Sequence, residues 1–246
     1  MSHGDVFDDL EAEQDQLEAL LGKLTPADWA SLSAAAGWSM ADVLLHLAQT
    51  EEAVATALGE GAAVDWRGYG SNVDGAMAAM VEAERGEPTA VFPRWQAARR
   101  ASVRALRAAD PQQPVPWVAA ALKPRTLATT RLAEHWAHAL DIAIPLGLDY
   151  PDTMRLRHVA WLGFSTLPYA FRIAGEQPPA VFCDLVAPDG SPWQFGDPSA
   201  ESVIAGPAAA FCRVGAQRLA PEESGLQTRG PYGETVLRLL RNYADV

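Results

Sequence analysis

Glu134 and His138 are the residues of this 246-residue chain best spaced to hold a metal ion. They lie in the stretch Arg131-Leu132-Ala133-Glu134-His135-Trp136-Ala137-His138-Ala139-Leu140-Asp141, which lacks Pro and Gly, is rich in Ala and Leu, and is bounded by Pro124 and Pro145. That composition specifies a helix. On a helix, residues four apart stand about 40° from one another and roughly 6 Å along the axis, so a carboxylate and an imidazole reach one point. Both are ligands for zinc or a similar divalent ion. Arg131 and Asp141 share their face. The same pattern has a plainer reading. Leu132, Trp136, Ala139, Leu140 and Ala143 mark the opposite side. By periodicity the stripe of Arg131, Glu134, His138 and Asp141 is then a solvated face laced with local ion pairs. A metal site needs a third ligand from elsewhere in the chain.

A second histidine belongs to an earlier helix. Ser39-Met40-Ala41-Asp42 has the form of a capping box with Asp in place of Glu, and the helix it opens runs to about Leu58. Val43, Leu47, Val54 and Leu58 mark its apolar stripe, and His46 lies within about 40° of that stripe. His46 therefore points into or beside the core. A buried imidazole needs partners for both nitrogens, which neighbouring side chains supply in an ordinary core and which a metal supplies at one of them. His135 is turned about 100° from Glu134 and falls outside any shared ligand set.

The elements that must position these residues are mostly helices over the first 150 positions. Residues from about Asp5 to Leu21 form an amphipathic helix with acids early. Thr25-Pro26-Ala27-Asp28 starts a short helix. Residues 60–88 mix Gly-rich connections with a helix at Val73–Glu84. Phe92 to Ala109 is a long helix carrying Arg94, Arg99, Arg100, Arg104 and Arg107, read as a solvated face that pairs with internal acids. The helix of Glu134 and His138 begins near Arg125. Long amphipathic helices of this kind specify a bundle, whose interior can host a metal. After Pro145 the character changes. A helix spans Met154 to Ile173, interrupted by Pro168. Strands follow at Val181–Ala187 and Ser191–Phe195, joined at Pro188-Asp189-Gly190 as a hairpin, with a third strand at Ser202–Ala205. A helix at Pro207–Leu219, a short strand at Gly225–Thr228 and a closing helix at Glu234–Tyr243 complete a small α/β module.

Composition removes whole classes of function. The net charge of −12 and pI near 4.8 oppose binding to nucleic acid, whose phosphates demand a basic surface, and to anionic membranes. No secretion signal is visible at the N-terminus, no apolar run is long enough to span a bilayer, and the expectation is a cytoplasmic protein. The two cysteines, Cys183 and Cys212, sit in the apolar strings VFCDLV and AAFCRV and read as small buried hydrophobes. If the chemistry needs a thiol, it comes from outside the chain.

The string Gly37-Trp38-Ser39-Met40-Ala41-Asp42-Val43-Leu44-Leu45-His46-Leu47-Ala48, followed by Glu51, resembles the second-helix signature of the DinB-like metal-binding bundles. In particular it is similar to the N-terminal domain of the mycothiol-dependent maleylpyruvate isomerase family and its actinobacterial relatives. Glu134, His138 and Asp141 match that family's Glu-x-x-x-His followed by Asp three residues on. The hairpin around Pro188-Asp189-Gly190 and the helix start at Gly206-Pro207 resemble its small sterol-carrier-like C-terminal domain, so the resemblance spans nearly the whole chain.

The resemblance implies an α+β protein: an N-terminal up-down four-helix bundle over residues 1–150 and a smaller α/β domain over 151–246. It implies that His46, Glu134 and His138 form a three-ligand site for a divalent metal, zinc first, with water or substrate in the open fourth place. Asp141 is implied either behind a ligand or against substrate, and Arg218 matches an arginine that the family turns toward its cleft. An external thiol such as mycothiol would ionise at the metal and add to an electrophilic carbon. Elimination after bond rotation gives isomerisation, and retention of the sulfur gives transfer. Arg218 or Arg157 would hold a substrate carboxylate. Trp38, Trp136 and Trp161 are pocket walls or simple core. Pro145 ends the metal-bearing helix abruptly and would reshape the pocket mouth. Two other readings stand beside this one: a thiol-independent Lewis-acid isomerase, cyclase or hydrolase, and a non-catalytic small-molecule binding protein. The expected partner is a small-molecule substrate, with the chain a monomer or homodimer.

Overall fold

Capping side chains fix the starts of two helices in the first half of the chain. Thr25 and Asp28 cap one another at the start of the short helix α2 (Pro26–Ala30), and Ser39 and Asp42 do the same for the long helix α3 (Met40–Leu58). In the second box the Ser39 backbone N–H donates to the Asp42 carboxylate at 2.9 Å, and the Asp42 N–H donates to the Ser39 hydroxyl at 3.1 Å. Asp42 also accepts from Arg85 Nε at 2.9 Å. Burial works against its charge, but the hydrogen bonds from Arg85 and Ser39 outweigh it and hold the carboxyl below its usual range. A depressed carboxyl contributes stability above its unfolded pKa and loses it as pH falls through the folded value. Asp42→Ala is therefore expected to destabilise the protein by about 1–2 kcal/mol at neutral pH, with the difference from wild type shrinking in acid. Urea unfolding at pH 7 and pH 3.5 checks this.

The structure, a computed structural model, describes residues 4–59, 66–70, 72–118 and 120–243. The Gly-rich connection at 60–65 lies outside them. The chain divides into two compact units, one running to Tyr150 and the other Pro151–Tyr243. In the first, α1 (Val6–Leu21), α3, α5 (Pro88–Ala108) and α6 (Pro124–Ala143) pack as a four-helix bundle, with α4 (Val73–Glu84) beside α3. Leu10, Leu17, Leu44, Leu47, Leu127 and Leu132 are each fully buried between them, and each contributes roughly 1.5–3 kcal/mol of hydrophobic stabilisation. The arginines of α5 pair with acids on its neighbours. Arg94 makes a two-pronged pair with Glu52 of α3, Arg99 meets Asp15 and Glu18 of α1, and Arg107 meets Asp8 and Glu11. Helix α5 begins at Pro88, a turn before the expected Phe92, because Pro is well suited to a first helical position.

The second unit is a four-stranded sheet in the order β2-β1-β3-β4, formed by β1 (Val181–Val186), β2 (Pro192–Phe195), β3 (Ser202–Pro207) and β4 (Gln227–Arg229). β1 is antiparallel to β2 and parallel to β3, and β4 closes the other edge antiparallel. The expected hairpin turn is present: the Ala187 N–H donates to the Ser191 carbonyl at 2.8 Å across Asp189-Gly190. To reach the far side of β1 the chain turns at Gly196, whose φ is +90° and where a Cβ would lie 2.1 Å from the Val181 carbonyl. Only glycine fits. Helices α7 (Leu156–Ile173), α8 (Ala208–Gly215) and α9 (Gly233–Leu239) complete the unit. Three expectations change here. α7 continues through Pro168 without interruption, its buried face outweighing the one lost hydrogen bond. α8 stops at Gly215 and α9 at Leu239, both shorter than periodicity implied. Past α9, Asn242 is instead tied to the end of α8 by its N–H donating to the Gly215 carbonyl at 2.8 Å.

Candidate metal centre

Position along α3 and α6 brings His46, Glu134 and His138 together. His46 Nε2 lies 3.6 Å and His138 Nε2 3.5 Å from the same oxygen of Glu134. One donor atom from each of the three lies within 4.8 Å of the others. These separations are long for hydrogen bonds, which hold N and O at about 2.7–3.2 Å. The two distances to Glu134 suit ligands around an ion, because bonds of about 2.1 Å in a tetrahedron place neighbouring donors ~3.4 Å apart. Two imidazoles and a carboxylate are also a donor set that zinc accepts. His46 and His138 are buried, while the Glu134 side chain is 30% exposed, so the cluster opens on the carboxylate side.

The stripe on α6 is not the solvated face that periodicity indicated. Arg131 is 2%, His138 9% and Asp141 1% exposed. α6 has apolar neighbours on one side and a buried polar layer on the other, and a one-sided hydrophobic pattern cannot distinguish that layer from water.

Electrostatics separate the three residues. Burial pushes the His46 imidazole down to about 4, so this ring is neutral and able to donate a lone pair. Burial also opposes charge on Glu134, but the adjoining imidazoles, His138 ahead of His46, hold its carboxyl well below the usual range. For His138 burial is again opposed and overcome, here by Asp141 and Glu134, and the imidazole is raised. Asp141 Oδ2 lies 2.9 Å from His138 Nδ1. In the neutral ring, a proton on Nδ1 donated to that carboxylate leaves Nε2 as the lone-pair atom facing Glu134. Carboxylates behind ligating histidines act in this way. Asp141→Ala is expected to weaken divalent-metal affinity by about 10–100-fold, read by competition against a chromophoric chelator.

A short loop places an aromatic wall on the cluster. Leu32 and Ser39 form an isolated bridge, Ser33 Oγ donates to the Trp38 carbonyl at 2.9 Å, and the Ala34 N–H donates to the Asp141 carbonyl at 2.9 Å. Gly37, at φ +79°, supplies the left-handed turn before Trp38. The Trp38 ring then lies 5.2 Å from His46 and 6.2 Å, stacked, from His138. Behind it are Ala76, Met77 and Met80 of α4, with Trp66 and Val73. Trp136, by contrast, is core at 2% exposure.

A family model described as the mycothiol maleylpyruvate isomerase N-terminal domain matches residues 10–143, from α1 to the last residue of α6. The chain belongs to this family. Among its relatives are two Mycobacterium tuberculosis proteins, the uncharacterized proteins Rv0036c (strain H37Rv) and MT0041 (strain CDC 1551). Each is 31% identical over 251 residues, covering 98% of this chain and 96% of its own length. Two solved structures share the fold: the mycothiol-dependent maleylpyruvate isomerase, with a TM-score of 0.61 at 16% identity, and a histidine-to-alanine mutant of it, at 0.62 and 15%. Both superpositions cover 92% of this chain and 95% of the other.

Arg218 lies just past α8, its Nη1 donating to the Ala216 carbonyl at 2.7 Å. Arg157 stacks over Trp193 and Phe195. Trp161 is 41% exposed. Both cysteines are buried; burial pushes the Cys183 thiol up to about 12 and raises Cys212 as well. Neither is an accessible nucleophile. Among the described residues no helix is long and apolar enough to cross a membrane.

Sequence reasoning missed a second polar cluster directly behind the first. Arg131 Nε donates to Glu51 Oε1 at 2.8 Å, and Arg131 Nη2 donates to the Thr50 hydroxyl at 2.6 Å. Ser102 donates to the other Glu51 oxygen. His135 Nδ1 lies 2.8 Å from the Arg131 carbonyl, and the Trp95 indole N–H points at His135 Nε2 at 3.2 Å. Burial drives the His135 imidazole down to about 4, and the two contacts specify its neutral Nδ1–H form. The available signal was the exclusion of His135 from the stripe: a histidine turned to the apolar side needs a polar partner there.

Proposed function

We propose that this protein is a divalent-metal enzyme, with zinc the resident ion, that uses mycothiol to isomerise or S-transfer a small electrophilic metabolite. The observation that carries the reading is the separation of 3.5 and 3.6 Å between one Glu134 oxygen and two imidazole nitrogens, with the carboxylate side open. Family membership supports the reaction class, since the matching model is named for a mycothiol isomerase. The two buried cysteines support a thiol drawn from outside the chain.

His46, Glu134 and His138 would hold the ion, which when bound supplies the positive charge that lets a coordinated thiol ionise near neutral pH. Asp141 keeps the proton of His138 on Nδ1 and is a positioning residue. Trp38 covers the imidazole side and excludes water there, directing small molecules to the side of Glu134. Arg218 enters through the resemblance as the group that would pair with a substrate carboxylate. The cytoplasm, where low-molecular-weight thiols stay reduced, is the compartment this chemistry requires.

Titration of cobalt-substituted protein with mycothiol tests the reading. A sulfur-to-cobalt charge-transfer band in the near ultraviolet, saturating at one thiol per metal, is the expected result. A cobalt spectrum indifferent to mycothiol, glutathione and bacillithiol would remove the thiol and leave Lewis-acid chemistry. Protein that takes up no cobalt would point to a binding protein.

A further inference from the structure

The two metal-bearing helices are joined one turn from the candidate ligands by a cluster that is closed to solvent. Thr50, Glu51, Trp95, Ser102, Arg131 and His135 are each 4% exposed or less. Arg131 stands one turn before Glu134 on α6, while Thr50 and Glu51 stand one turn after His46 on α3. The Thr50 hydroxyl accepts from Arg131 Nη2 at 2.6 Å and donates to the His46 carbonyl at 2.9 Å. The guanidinium is thus two hydrogen bonds from the backbone of a ligand on the other helix.

Stability alone is a weak reason for such a pair, because desolvating two charges cancels much of their attraction and apolar replacements of both are often neutral or better. Register is the better-attested use of buried ion pairs. The two histidines also differ in a way that calls for it. His138 has its ring oriented by Asp141. His46 Nδ1 is buried with no hydrogen-bond partner among the described residues, so no second side chain aims that ring. Its direction rests on packing against Trp38 and on where the α3 backbone is held.

We infer that the Glu51–Arg131–Thr50 linkage is a positioning device for the metal centre, holding α3 in the register that aims His46 at the point faced by Glu134 and His138. This rests on the reading of those three residues as metal ligands.

The test uses the full chain in metal-free form, titrated with cobalt against a competing chelator, with thermal unfolding of the same samples. Thr50→Val removes the hydroxyl at nearly constant volume, Thr50→Ser restores it, and Glu51→Met with Arg131→Met replaces the pair by apolar groups. Wild type and T50S are expected to bind alike. T50V and the double variant are expected to lose about 10–100-fold in affinity, while the double variant unfolds, metal-free, within a few degrees of wild type. A folded double variant or T50V with wild-type cobalt affinity overturns the inference while leaving the metal reading intact. If the double variant does not fold, the comparison of T50V with T50S decides. Wild-type protein that binds no cobalt removes the metal reading, and this inference with it.

Discussion

Replacing Glu134, His46 or His138 by alanine is expected to lower divalent-metal affinity by roughly two to three orders of magnitude. A tetrahedral zinc site in a protein is worth about 10–16 kcal/mol. Shared over four places, that assigns about 2.5–4 kcal/mol to each ligand, and 1.4 kcal/mol is one decade in affinity. Glu134 is expected at the upper end, since it carries the negative charge and is the atom both imidazoles face. Competition titrations with zinc or cobalt on the three single variants measure the effect. Losses below tenfold in all three would mean that the ion, if bound, is held elsewhere. The unfolding temperatures of metal-free His46→Ala and Glu134→Ala should change much less than the affinities, since His46 and Glu134 share no direct hydrogen bond to lose, whereas His138→Ala also removes the 2.9 Å contact to Asp141.

Arg131→Met alone is expected to be the most damaging single change to the fold near the site, by about 3–5 kcal/mol. Glu51 is fully buried, and its carboxylate is neutralised there by the guanidinium at 2.8 Å. Removing the arginine leaves a buried charge with the Ser102 hydroxyl as its remaining hydrogen bond and a His135 nitrogen 3.6 Å away. For a protein of this size each 1 kcal/mol moves the unfolding midpoint by roughly 2–4 °C, so a drop of roughly 6–20 °C follows. Adding Glu51→Met should recover most of it. A single variant within 2 °C of wild type would contradict this reading of the pair.

Much of the architecture can be read from local chemistry. Thr25 with Asp28, and Ser39 with Asp42, announce two helix starts, and Asp189-Gly190 announces the hairpin. Helix ends are less legible where packing decides: α7 passes through Pro168, and α8 and α9 stop early. For the site, the i, i+4 spacing of Glu134 and His138 is visible in the sequence. Which way that pair faces is not, because α6 is buried on both its apolar and its polar sides. Periodicity assigned Arg131 and Asp141 to solvent, whereas Arg131 serves Glu51 and Thr50, and Asp141 serves His138. The convergence of His46 with residues some ninety positions later is a tertiary fact. It was available beforehand only through resemblance to a family, and the Thr50–Glu51–Ser102 layer behind it left one indirect trace, a histidine at 135 turned to the apolar side.

That His46, Glu134 and His138 hold a divalent ion stands or falls on metal content. Elemental analysis of protein purified without chelator should find about one divalent ion per chain, with zinc foremost, and Glu134→Ala protein prepared in parallel should carry almost none. Wild-type protein without stoichiometric metal, or a Glu134→Ala protein that keeps its full complement, would contradict it.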